Sequence, residues 1–75
     1  MTTNVLLLGA GKIGETIAAI LSQSGDYHLT VADTSEVRLN SLKQHAKNTV
    51  VADISNAAVL DTLTAGHQAV LSACP

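Results

Sequence analysis

Gly9-Ala10-Gly11-Lys12-Ile13-Gly14 places three glycines in the spacing G-x-G-x-x-G, directly after the apolar run Val5-Leu6-Leu7-Leu8. Between a strand and a helix, this spacing receives a diphosphate. Gly9 permits a tight turn, Gly11 puts no Cβ between the backbone and an approaching pyrophosphate, and Gly14 lets the helix pack closely on the strand. The N–H groups at the helix start, those of Lys12 and Ile13 among them, add to the helix dipole in favouring an anion. The Lys12 side chain either meets a phosphate or extends into solvent. The alternative for the glycines is a plain turn in a non-binding α/β domain. Against it stand the strand before them, the helix after them and an acid downstream.

That acid is Asp33, 19 residues after Gly14 and at the end of the second apolar segment. A carboxylate there accepts hydrogen bonds from the hydroxyls of an adenosine ribose, which points to NAD. A 2′-phosphate would face its negative charge, and Thr34, Ser35 and Glu36 offer no arginine, so NAD is expected to be preferred over NADP. Arg38, one turn further on, either swings toward the ribose or stays on a solvated helix surface. Asp33 also reads as a helix cap. Asp53 and Ile54, after the third strand, are placed for the adenine edge and ring face, although Asp53-Ile54-Ser55-Asn56 also reads as capping chemistry before a helix.

The elements that must position these residues alternate along the chain. Val5–Leu8 has the continuous apolar character of a strand covered on both faces. Ile13, Ile17, Ile20 and Leu21 form a helical stripe that Ser24-Gly25-Asp26 stops. Tyr27, Leu29 and Val31 alternate as a second strand, and Leu39, Leu42 and Ala46 mark a second helix capped by Thr34 or Ser35. A third strand over 49–52, a third helix carrying Val59, Leu60 and Leu63 between Asn56 and Gly66, and a fourth strand over 69–71 complete the set. Strictly alternating strands and helices imply parallel strands with right-handed crossovers, and an expected order of 3-2-1-4. The fold class is α/β, a Rossmann-like doubly wound sheet represented by its first half. Residues 1–75 are expected to form one dinucleotide-binding unit, truncated, with the substrate domain absent. Val70 and Leu71 would then line an exposed sheet edge open to pairing, including with a second copy.

The whole chain has 75 residues, of which 47% are hydrophobic and 13% charged, and this composition excludes disorder and fits one domain at most. A net charge of −2 argues against a nucleic-acid partner, and the dispersed Lys12, Arg38, Lys43 and Lys47 argue against a membrane surface. His28, His45 and His67 fall on separate elements, so no metal site is expected. Cys74, the single cysteine, has no identifiable base partner and reads as a small filler; it implies a reducing, cytoplasmic setting. Ser22, Ser24 and Ser72 lack a nucleophile-elbow context.

The segments VLLLGAGKIG (5–14), LTVAD (29–33), VVAD (50–53) and VLSACP (70–75), with VADTSEVRLNSL after the second strand, resemble the N-terminal nucleotide-binding part of the saccharopine dehydrogenase-like family. The resemblance spans nearly the whole chain. It implies an NAD(P)-binding portion of a longer oxidoreductase acting on the C–N bonds of amino-acid adducts, with the substrate and the acid–base groups held by a second domain. It also implies that Pro75 stands where the chain turns beside the nicotinamide, and that the 75 residues alone are inactive. A second, non-enzymatic reading is a nucleotide-sensing regulatory domain of a potassium transport system. Such domains resemble the same half-fold but carry a glycine where Ala52 precedes Asp53.

Overall fold

Every strand is returned to the same end of the sheet by a helical crossover, and this makes the sheet parallel. A computed structural model describes residues 3–73. In chain order it holds β1 (Thr3–Leu8), α1 (Lys12–Ser24), β2 (Tyr27–Asp33), α2 (Glu36–Asn40), β3 (Asn48–Val51), α3 (Ala57–Thr64) and β4 (Ala69–Ser72). Cys74 and Pro75 lie outside the described residues. The strands are ordered β3-β2-β1-β4 and every neighbouring pair is parallel, the first half of a doubly wound α/β fold.

β1 is central, so its side chains are buried on both faces. Val5 and Leu7 join Leu29 and Val31 of β2, Ala18 of α1, Leu39 of α2 and Leu42 in one cluster. Leu6 and Leu8 join Ala32 on the opposite face, where Leu60 and Leu63 of α3 and Val50 of β3 pack. α1 and α2 therefore cover one face of the sheet and α3 the other. Gly25, at φ 73°, takes the left-handed conformation that ends α1 and frees the chain to enter β2.

Two helices depart from their expected form. The buried face of α1 is Gly14 and Ala18, with Ile17 and Leu21 packed beside them, while Ile13 and Ile20 are 67% and 63% exposed. The small residues bring the helix close to the sheet, and the outer part of the isoleucine stripe is left facing solvent. The second helix ends at Asn40 instead of running on past Ala46. Ser41 Oγ donates to the Arg38 carbonyl at 2.7 Å, the oxygen that a continuing helix would offer to the Leu42 amide. The Leu42 amide donates to Leu39 instead, and the His45 amide to Leu42, as tight turns that still bury Leu42 completely.

Because Leu39 is buried and Ile20 is exposed, truncating them should have different effects. Leu39→Ala is expected to remove about 2–5 kcal/mol of stability and Ile20→Ala less than about 0.5 kcal/mol, read from urea unfolding midpoints.

Candidate dinucleotide-binding site

The chain leaves β1 at Leu8 and turns through Gly9, whose φ of 101° lies in the region that favours glycine. The Gly9 amide donates to the Ala32 carbonyl at 2.8 Å, which anchors the turn to β2. Gly14 closes the turn from the helix side. A Cβ at Gly14 would run into the Gly9 carbonyl oxygen, so α1 can start here only with a hydrogen at that position.

Gly11 is different. A Cβ there would meet nothing within 4 Å, and its φ of −73° and ψ of −166° suit any residue. Gly11 is the N-cap of α1 and supplies no side-chain cap. The first helical bond is Glu15 N–H to the Gly11 carbonyl at 2.8 Å, which leaves the amides of Gly11, Lys12, Ile13 and Gly14 without acceptors among the described residues. Four consecutive donors at a helix N-terminus, beside open space, form a site for an anion.

Gly11, Lys12 and Ile13 line an open groove of about 560 Å³ with Glu15, Arg38 and Ser41, and Ala73 borders it after β4. For Arg38 the sequence left open a place near the ribose or on a solvated helix surface, and Ser41, Glu15 and Ala73 were not assigned to the site from sequence.

Asp33 is buried at 5% exposure, at the C-terminal end of β2. Its Oδ2 accepts from the Ala10 amide at 2.7 Å and its Oδ1 from the Ser35 amide at 2.8 Å. Ala10 belongs to the glycine loop, so the carboxylate ties that loop to the β2–α2 connection. Burial pushes the Asp33 carboxyl upward, but the amides of Ser35 and Ala10, the Arg38 charge and the Thr34 amide outweigh it and hold the group below its ordinary value. The helix cap is not Asp33 but Ser35, whose Oγ accepts from the Arg38 amide at 3.3 Å.

Asp53 and Ile54 are not among the residues lining the groove. Asp53 is exposed, and its Oδ1 accepts from the Ser55 hydroxyl and, at 3.0 Å, from the Ser55 amide; the hydroxyl and then the amide hold its carboxyl below the ordinary value. Asn56 Oδ1 accepts from the amides of Ala58 and Val59 and caps α3. Ile54 packs against the cluster of Leu6, Leu8 and Ala32. His45 Nδ1 lies 3.3 Å from Ser22 Oγ, and the residue lines a second groove along α1 with Lys12 and Glu15. No group of three His, Cys, Asp or Glu among the described residues could hold a metal, and none of their helices is long and apolar enough to cross a membrane.

A parallel 3-2-1-4 sheet with this glycine turn defines a Rossmann-like α/β domain. Within that class the chain belongs to the family described as the saccharopine dehydrogenase NADP binding domain, whose model matches residues 5–75. Apo saccharopine dehydrogenase (L-Glu forming) from Saccharomyces cerevisiae superposes with a TM-score of 0.82 and 28% sequence identity over 97% of this chain. This chain spans 17% of that enzyme. AibC superposes with a TM-score of 0.66 at 23% identity over 92% of this chain and 22% of its own, a likeness of fold. No curated protein sequence matches the chain. The family description names NADP, so the NAD preference expected from Asp33 finds no support there.

A carboxylate held below its ordinary value stabilises the fold above the unfolded-state pKa, and that contribution disappears as pH falls through the lowered folded value. Urea midpoints taken from neutral to strongly acidic pH are therefore expected to fall more steeply for the unaltered protein than for Asp33→Asn.

Proposed function

We propose that this chain is the cofactor-binding part of an oxidoreductase of the saccharopine dehydrogenase type, and that it binds the dinucleotide NADP. The observation that carries this reading is Gly11: four acceptorless amides meet open space at a loop position where a Cβ would meet nothing in the protein. That space fits a diphosphate. The family description supports the choice of dinucleotide.

In this reading Gly11, Lys12, Ile13 and Gly14 direct their amides to the diphosphate, and Gly9 sets the turn that makes this possible. The Lys12 ammonium adds charge at the same place. Asp33 sits beneath the adenosine ribose, and Asp53 and Ile54, following β3 at the same end of the sheet, stand toward adenine. The cofactor supplies hydride transfer, here between the nicotinamide and a C–N bond of an amino-acid adduct. Groups that hold the substrate and move its proton belong to a further domain of the kind implied by the yeast enzyme's greater length. Among the described residues the groove offers the nicotinamide end no histidine or cysteine, and the 75 residues alone are expected to bind NADPH without turning over substrate.

Gly11→Asp separates binding from folding. The carboxylate would cap α1 and is expected to raise stability by about 0.5 kcal/mol or more, while filling the anion site with like charge. Titration calorimetry with NADPH should show binding to the unaltered protein and at least a tenfold loss in the variant, on the order of 1.4 kcal/mol. Failure of the unaltered protein to bind either NADPH or NADH at millimolar concentration would refute the proposal.

A further inference from the structure

We infer that the outer edge of β3 is an interaction surface for a second copy of this chain, whose own β3 pairs with it antiparallel about a two-fold axis and joins the two sheets into one. The inference stands apart from the cofactor reading, because no residue of β3 lines the groove at the glycine loop.

β3 stands at one end of the order β3-β2-β1-β4, so among the described residues only its inner side is paired. The Ala52 amide donates to the Asp33 carbonyl of β2 at 3.0 Å, with Val51 in register opposite Asp33. Backbone groups alternate in direction along a strand, so those of Val51 and Thr49 point to the open side. Exposed edges are commonly blunted by charge or proline. Asn48-Thr49-Val50-Val51 carries neither, and Val51 is 58% exposed. β4 is the other edge, but the doubly wound order 3-2-1-4-5-6 extends the sheet on that side and leaves β3 terminal.

Charge and shape select the occupant. Lys47 precedes β3 and Asp53 follows it, and both are exposed. An antiparallel copy in the register that sets Val50 opposite Val50 pairs Thr49 of each chain with Val51 of the other, and brings each Lys47 beside the other copy's Asp53. The two-fold axis makes every such match twice, as a self-complementary interface requires. Val50 packs with the cluster of Leu6, Leu8 and Ala32 on the face that α3 covers, where Val50, Ala52, Val59 and Leu63 line an apolar groove of about 330 Å³. Because an axis perpendicular to the sheet keeps like faces together, the grooves of the two copies adjoin beside the Val50 pair and shield one another from water.

The test is sedimentation equilibrium of the 75-residue chain from about 5 μM to about 500 μM, where the average mass is expected to rise with concentration toward twice that of one chain. Val51→Lys places a charge at the exposed edge and is expected to weaken the dimer at least tenfold while leaving the circular dichroism spectrum unchanged. Val70→Lys, on β4, should leave the dimer within about twofold. Lys47→Asp is expected to weaken it about fivefold, and Lys47→Asp combined with Asp53→Lys to recover most of that loss, since the exchange restores opposite charges only in the antiparallel pairing. A monomer at every concentration, or a dimer that Val70→Lys dissociates and Val51→Lys does not, would overturn the inference. Failure of the charge exchange to recover the dimer would overturn the antiparallel register.

Discussion

The structure depends on one close approach. At Gly14 the first turn of α1 lies against the Gly9 carbonyl with no room for a Cβ. This contact sets where the helix begins relative to the end of β1. It also keeps the helix N-terminus at the C-terminal end of the strands, where Gly11, Lys12 and Ile13 line the groove. A larger residue would lift the helix from the strand and disturb the packing of Ala18, which is completely buried one turn later. Core packing and anion recognition therefore share a single steric condition.

The loop is also held from the β2 side. Asp33 comes from a separate strand and accepts from Ala10, while Gly9 donates to the carbonyl of Ala32 beside it. Two neighbouring residues of β2 thus fix two neighbouring residues of the turn. A buried carboxylate is unfavourable unless it is hydrogen-bonded, and here two amides and the nearby Arg38 charge more than offset its desolvation. The same bonds that make Asp33 tolerable inside the protein make the loop rigid. Preorganised amides need no rearrangement when an anion arrives, which favours binding.

The rest of the small core supports this turn unevenly. α1 and α2 bury Leu29, Val31, Leu39 and Leu42 on one face, whereas α3 contributes no fully buried residue to the other. On the far side of β1, Val70 and Leu71 of β4 are 43% and 38% exposed, so the apolar surface thins toward that edge. The well-packed half lies under the glycine turn and the β2–α2 connection, the segments that carry the groove.

Much of this was legible in the residues because it rests on local rules. The G-x-G-x-x-G spacing, the apolar run before it and the helical stripe after it depend on neighbours within a few positions, and the 3-2-1-4 order follows from alternating elements and the hand of their crossovers. The end of α2 was not legible, since Ser41 had to compete for the Arg38 carbonyl. Nor was the exposure of Ile13 and Ile20, because a stripe does not say which part of its width meets the sheet. Composition and spacing by themselves determined the class of fold and the turn that can receive a phosphate. Only the tertiary structure decided that Asp33 reaches back to Ala10 and that Arg38 shares the groove with Gly11, because those relations join segments that meet only once the helices have packed on the sheet.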